Sequence, residues 1–260
     1  MNIFQALILG LVEGLTEYLP VSSTFHLIWA AKFLGLGQSE FQKVFEVVIQ
    51  SGAIAAVLAL YFKDIINDRK LFTKVLVSFV PTATVGLVFY KVIKNFFFGN
   101  LFLQLTVFAL VGLIFLAVEK SQLSNKLSRS LKEITYSDAF FVGLIQALAV
   151  LPGVSRAGAV ILSLMYLKVK RQDAAKYSFI LAIPTLLAAS VFDLIKSRQT
   201  LLSDSGNLTL IAVGLITSFV SALVVVKWFV RFLQSHDLRV FGWYRLAAAG
   251  LLGLFILFSR

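Results

Sequence analysis

Two apolar stretches of this chain are broken in the middle by the residues that lipid tolerates least, and this pattern limits the fold more than any other feature. Ile3 to Phe33 contains Glu13, Glu17, Pro20 and a Ser22-Ser23-Thr24 run, and Ala139 to Leu167 contains Pro152, Gly153 and Arg156. Around them stand six uninterrupted apolar runs: Phe45 to Phe62, Leu71 to Tyr90, Leu101 to Val118, Tyr177 to Ile195, Leu208 to Val226 and Trp243 to Phe258. A helix needs about 20 apolar residues to cross the hydrocarbon core, so each of the six is predicted to span a membrane. Backbone that breaks at membrane depth is tolerated only where protein or a water-filled cavity surrounds it. Each interrupted stretch is therefore expected to be a re-entrant helix-loop-helix. Composition agrees, since only 14% of residues are charged and 59% are hydrophobic, whereas soluble domains carry roughly 25% charge. The expected fold is an all-α polytopic membrane protein with about six transmembrane helices plus two re-entrant hairpins, one integral domain over residues 1–260.

The broken stretches also resemble each other. Gly10-Leu11-Val12-Glu13 aligns with Gly143-Leu144-Ile145-Gln146, and Leu19-Pro20-Val21-Ser22 aligns with Leu151-Pro152-Gly153-Val154-Ser155 once Gly153 is taken as an insertion. Three spans follow each copy, and an odd number of crossings turns the second copy upside down, as in inverted-repeat transporters. The repeats are expected at about 1–119 and 139–260, joined by a cytoplasmic linker at about 120–138.

The net charge of +11 then reads as a topology signal and not as a nucleic-acid footprint. Of the 24 Lys and Arg, sixteen fall in loops around residues 63–74, 120–138, 168–176 and 227–245, seven fall on the opposite side, and Arg156 lies between. The sixteen-charge side is predicted to be cytoplasmic, which turns both termini and the mouth of the first hairpin outward. Met1 to Leu11 lacks a basic leader and a cleavage site and reads as mature protein. Trp29, Trp228 and Trp243 sit at predicted span ends as an interfacial belt. With no cysteine and two histidines, thiol chemistry and Cys- or His-rich metal cages are excluded.

Glu13 and Glu17, four apart, share one helix face, where two carboxylates repel. A charge at the bilayer centre costs about 2.5–3.5 kcal/mol even on lenient scales, so the pair demands a cation, a shared proton or water. Snorkelling to the interface is the plainer alternative, but largely apolar residues precede Glu13. Pro20 is expected to stop the first helix after Leu19. The hydroxyls of Ser22, Ser23 and Thr24 and the His26 imidazole then gather where a half-helix begins, and such an end presents free amides and positive dipole to an anion. A hydroxyl beside an imidazole and a carboxylate also suits nucleophilic or general-base catalysis, although Ser and Thr also serve simply as caps. In the second loop, Gly153 and Ser155 permit close backbone approach to a ligand, and Arg156 offers a fork of donors matched to phosphate. Arg156 is also a partner for Glu13 or Glu17, and a phosphate would compete for it. His236, Asp193, Glu119 and the loop Lys120 to Asp138 read as solvated or interfacial.

Glu13-Gly-Leu-Thr-Glu17-Tyr-Leu-Pro20-Val-Ser22-Ser23-Thr24-Phe-His26 closely resembles the first signature of the bacterial undecaprenyl-diphosphatases, also called bacitracin-resistance proteins. Pro152-Gly-Val-Ser155-Arg156 resembles their second signature, and Phe45-Glu46-Val-Val-Ile-Gln50-Ser-Gly52 a further segment. The resemblance runs end to end. It implies hydrolysis of undecaprenyl diphosphate to the monophosphate carrier of envelope polymers, in a bacterial plasma membrane, at a site facing outward, with bacitracin competing for the lipid. It further implies Glu13 and Glu17 as essential carboxylates and ligands of a divalent cation, Mg²⁺ or Ca²⁺. Ser22, Ser23 and Thr24 would be the hydroxyl cluster, His26 the catalytic imidazole, and Arg156, with Ser155 and Gly153, the diphosphate anchor. Phe25, Ala157 and Val160 depart from the family pattern, which has glycine, serine and threonine there.

The expected chemistry is in-line phosphoryl transfer driven mostly by positioning and charge neutralisation, with Ser23, His26 or water as the attacking group. The competing reading is a lipid or small-anion transporter or flippase, since broken helices meeting at the midplane also serve carriers. The hydroxyl-imidazole cluster beside the carboxylates favours the enzyme. A purely structural membrane protein leaves these costly groups unexplained. Membrane lipids are the surroundings in every reading, and no residue pattern specifies an oligomer.

Overall fold

Asn2 opens the first helix with a reciprocal cap: its side chain accepts from the Gln5 amide at 2.9 Å and its own amide donates to Gln5 Oε1 at 2.8 Å,. The computed structural model describes every residue except 38, 97–99, 122–126, 197–204 and 259–260, and the side chains of 90–96, 193, 196 and 205 also lie outside the description. The expectations for Asp193 and for the loop charges Lys91, Lys94, Lys126, Lys196, Arg198 and Arg260 fall there. In chain order the helices are α1 (Ile3–Thr16), α2 (Ser23–Phe33), α3 (Glu40–Asn67), α4 (Arg69–Phe96), α5 (Leu101–Lys120), α6 (Tyr136–Ala147), α7 (Arg156–Tyr166), α8 (Arg171–Lys196), α9 (Ser205–Ser235) and α10 (Arg239–Phe258).

Six of them, α3, α4, α5, α8, α9 and α10, are long and apolar enough to cross a membrane, and they are the six runs read from the sequence. Several extend beyond those runs. Helix α3 starts five residues before Phe45, where Ser39 Oγ accepts from the Gln42 amide at 3.1 Å, because polar residues can carry a helix past the apolar slab into the headgroups. No strand forms among the described residues apart from one isolated bridge between Arg129 and Val169. That bridge ties the 127–135 linker to the α7–α8 connection. Next to it the Ser130 amide and hydroxyl both donate to Glu133 (2.5 and 2.7 Å), which holds that exposed carboxyl below its ordinary range.

Lipid tails solvate apolar side chains as well as a protein core does, so helix association here relies on close packing and hydrogen bonds. Helices α1 and α3 pack on α9, α6 on α4, α5 on α10, and α3 on α8. The approach is tight where side chains vanish: a Cβ on Gly10 would lie 2.5 Å from Gly214 O, and one on Gly143 2.2 Å from Ser78 O. Ser78 Oγ donates to Ala139 O at 2.6 Å across the same α4–α6 contact. The largest core cluster gathers Tyr18 and Val21 from the first break, Val160 and Ile161 from α7, and Phe115, Phe179 and Phe229 from long helices. The interior therefore centres on the two interrupted stretches.

Two expectations need correction. Helix α1 ends at Thr16, not Leu19, and residues 17–21 form turns. Pro20 disfavours helical backbone at the residue before it and has no amide to donate, so the helix gives out early. Glu119 is buried, not solvated: its Oε1 accepts from Arg171 Nε at 2.9 Å and from the Leu238 amide at 3.0 Å. It thereby joins α5, α8 and the start of α10. His236 is exposed, as expected.

Candidate active site

Both interrupted stretches re-enter helix through a serine with unusual backbone. Ser22 has φ 67° and Ser155 φ 75°, each immediately before the first residue of α2 and α7. Non-glycine residues at positive φ cost of order 1–3 kcal/mol and persist where surrounding structure demands them. Ser155 Oγ caps α7 by accepting from the Gly158 amide at 3.2 Å, whereas the Ser22 side chain makes no cap bond. Gly153, with φ 101°, makes the second turn, and a Cβ there would lie 2.9 Å from Gln104 O.

Between the two loops lies a cavity of about 150 Å³. Glu17, Ser22, Ser23 and Thr24 line it from the first loop, Ser155 and Arg156 from the second, and Gln50, Thr82, Gln146 and Thr185 from the surrounding helices. Glu17 is the hinge of the charged wall. Its Oε1 accepts from Arg156 Nη2 at 2.8 Å and its Oε2 from Ser23 Oγ at 2.5 Å. The pair is buried, with the arginine and glutamate side chains 8% and 4% exposed. Arg156 Nη1 donates to Ser178 O at 2.7 Å, which anchors the guanidinium to α8, while its Nε is buried without a partner. Hydroxyl, carboxylate and guanidinium thus form one continuous chain across the two loops.

The other predicted residues lie around this chain. Glu13 is fully buried one turn before Glu17, and neither carboxyl oxygen has a hydrogen-bond partner. His26 does not line the cavity. Its Nδ1 lies 2.8 Å from Ser22 O and its Nε2 2.6 Å from Tyr244 OH, and its ring stacks on Tyr244. The imidazole therefore braces the Ser22 turn from behind. Gly153 also serves from behind, through its carbonyl. Phe25 stacks on Phe108 with centroids 4.0 Å apart, while Ala157 and Val160 are buried away from the cavity. The three departures from the family pattern thus fall on packing positions.

Arg245 corrects the charge reading. The charge pattern places it among the loop residues, yet it sits within α10 fully buried. Its Nε donates to Pro20 O at 2.9 Å, Nη1 to Gly153 O at 2.8 Å and Phe108 O at 3.4 Å, and Nη2 to Val154 O at 3.1 Å. Phe108 and Phe115 flank it, with ring centroids 4.7 and 5.7 Å away,. One guanidinium thus fastens both breaks to the same helix. The available signal was an arginine inside the last apolar run, which snorkelling explains equally well.

The family described as "Bacitracin resistance protein BacA" matches residues 6–251. The chain belongs to this family. Undecaprenyl-diphosphatase of Aquifex aeolicus is 42% identical over 258 residues, covering 99% of this chain and all of the relative. The undecaprenyl-diphosphatase of Sulfurihydrogenibium sp. is 42% identical over 95% of this chain and 96% of its own length, and that of Campylobacter hominis 40% identical over 99% and 100%. BacA relatives thus match this chain through both loops and through the α10 segment that carries Arg245.

Proposed function

We propose that this chain is an integral membrane phosphatase that hydrolyses undecaprenyl diphosphate to undecaprenyl phosphate and inorganic phosphate. It would thereby recycle the lipid carrier for cell-wall synthesis and lower sensitivity to bacitracin, which competes for that lipid. The observation that carries the reading is the Ser23–Glu17–Arg156 chain, built from two loops around one cavity. It joins a nucleophile, an acceptor for its proton and a cation for phosphate.

An arriving diphosphate competes with Glu17 for Arg156, and each exchange frees Glu17 to take the Ser23 proton. Ser23 Oγ then bonds to the terminal phosphorus as the bond from that phosphorus to the bridging oxygen breaks, and undecaprenyl phosphate leaves. Water displaces Ser23 from phosphorus in the second step, Ser23 regains its proton and inorganic phosphate is released. Ser22, Thr24 and Ser155 supply further hydroxyls on the cavity wall. His26 holds the loop in place through the Ser22 carbonyl.

Among the described residues, no group of three or more His, Cys, Asp or Glu gathers as a metal cage. Glu13, whose buried carboxyl oxygens have no partner, and Glu17 beside it are the residues that would hold a divalent cation. Mg²⁺ or Ca²⁺ held there would supply charge neutralisation for the diphosphate.

The inverted repeat, about 1–119 and 139–260 around a linker at 120–138, is supported by matched packing. The first helix of each copy lies on the fourth helix of the other, α1 on α9 and α6 on α4, and Ser22 and Ser155 take the same backbone turn. The short helices on either side of each break support reading both stretches as re-entrant hairpins. With Arg245 moved inside, fifteen basic residues still face seven, which supports outward termini and an outward-facing site.

The test is phosphate release from a long-chain isoprenyl diphosphate by purified protein in detergent, with and without EDTA, beside Glu17→Gln and Arg156→Ala. Release that the chelator and both variants abolish is the expected result. Unchanged release by Arg156→Ala, or none from folded wild type, overturns it. Labelled phosphate trapped on Ser23 would identify the nucleophile.

A further inference from the structure

The cavity has an uncharged wall that the proposed reaction does not use. Gln146 Nε2 donates to Thr82 Oγ1 at 2.7 Å and to Thr185 Oγ1 at 3.4 Å. Each threonine hydroxyl has a single proton, and both are already given to backbone: Thr82 to Gly143 O at 3.1 Å and Thr185 to Leu181 O at 2.8 Å. Both threonines can therefore only accept from Gln146, which fixes the amide with its NH₂ toward them. Its Oε1 is left over. Gln146 is fully buried and lines the cavity, and that oxygen has no hydrogen-bond partner.

Arg156, on the same cavity, has the complementary vacancy, since its Nε is a buried donor with nothing to donate to. Two residues of the cavity wall thus hold one unused donor, on a cation, and one unused acceptor, on a neutral amide, both buried within that wall. An anion without protons satisfies the first and leaves the second desolvated and unpaired. Water can accept from the first and donate to the second but brings no charge to displace Glu17 from the guanidinium. A tetrahedral oxyanion that keeps a proton satisfies both.

We infer that the cavity is built for a protonated phosphate, with a P–O⁻ oxygen accepting from Arg156 Nε and the P–OH donating to Gln146 Oε1. Building on the phosphatase reading, this makes Gln146 a specificity-determining residue that selects the protonated terminal phosphate and holds the inorganic phosphate product. Sulfate has the same shape and no proton at neutral pH, so it leaves Gln146 Oε1 unpaired. Sites that hydrogen-bond a ligand hydroxyl reject analogues lacking it through that unpaired group.

The experiment uses the full chain in detergent at neutral pH. Inorganic phosphate and sulfate are compared as inhibitors of isoprenyl diphosphate hydrolysis, and as competitors of bound radiolabelled phosphate. Wild type is expected to prefer phosphate by about tenfold, the worth of one hydrogen bond to a charged ligand. Gln146→Met keeps the volume and removes the acceptor, so phosphate weakens about tenfold while sulfate is unchanged. Thr82→Val keeps the acceptor and loosens its orientation, giving an intermediate ratio. A general structural defect would move both anions together. The inference is overturned if wild type treats the two anions alike, if Gln146→Met weakens both equally, or if neither binds. Phosphate preference without hydrolysis would sink the phosphatase reading and keep the subsite, whereas hydrolysis without preference would do the reverse.

Discussion

Removing either half of the Glu17–Arg156 pair leaves a charge stranded in a nearly dry interior. At 2.8 Å and an effective dielectric of about 20, the attraction is about 6 kcal/mol, set against a desolvation cost of several kcal/mol per ion. Little solvent is available to replace a lost partner. Breaking a buried pair from one side costs about 3–5 kcal/mol, and the two sides differ here. Arg156→Met leaves Glu17 with the Ser23 hydroxyl alone, one turn from the unpartnered Glu13 carboxyl, so it belongs at the upper end. Glu17→Gln keeps an oxygen for the guanidinium, which also retains Ser178 O, and belongs at the lower end. The double variant carries neither charge and still offers Ser23 an acceptor, so its stability should return to within about 1 kcal/mol of wild type. Activity should stay lost in all three. Denaturant unfolding in micelles gives the stabilities and phosphate release the activities. A double variant destabilised by the sum of the single losses would refute the reasoning, because uncoupled effects mean the two side chains do not share a buried pair.

Three other perturbations probe the frame. Gly143→Ala pushes a methyl against Ser78 O and should cost about 1–3 kcal/mol, whereas Gly250→Ala, with nothing within 4 Å of the added carbon, should be neutral in the same unfolding assay. Arg245→Met orphans the carbonyls of Pro20, Gly153 and Val154 and should cost at least about 3 kcal/mol, with Arg245→Lys recovering part of the stability. Tyr244→Phe removes the 2.6 Å partner of His26 and should change stability by about 1 kcal/mol or less. Steady-state kinetics should show its kcat several-fold lower with KM unchanged.

Much of this was legible in the chain because lipid enforces simple rules. Uninterrupted apolar runs bounded by charge located all six long helices, and the cost of carboxylates and prolines at depth singled out both breaks. Glu17, Ser23 and Arg156 do meet, although 139 positions separate Glu17 from its arginine. Partners that depend on helix facing were not readable. Gln146, Thr82 and Thr185 are single polar residues in apolar helices, each with an innocent local explanation, and only the α4–α6–α8 packing brings them together. His26 was expected among the hydroxyls, but its ring packs on Tyr244 of α10, a partner that only the docking of α2 on that helix reveals.

The four carbonyls around Arg245 also set a mechanical rule. Carriers built from paired repeats work by rocking one unit against the other around a central site. A motion of that kind in this chain would part the Pro20 turn from the Gly153 turn, and the guanidinium could follow only one of them. Whichever side it left would keep orphaned carbonyls in a place water does not reach, at about 1–3 kcal/mol for each, beside a cation now short of acceptors. The spacing between the loops is therefore clamped, and traffic through the cavity has to proceed by side-chain exchange around a fixed gap.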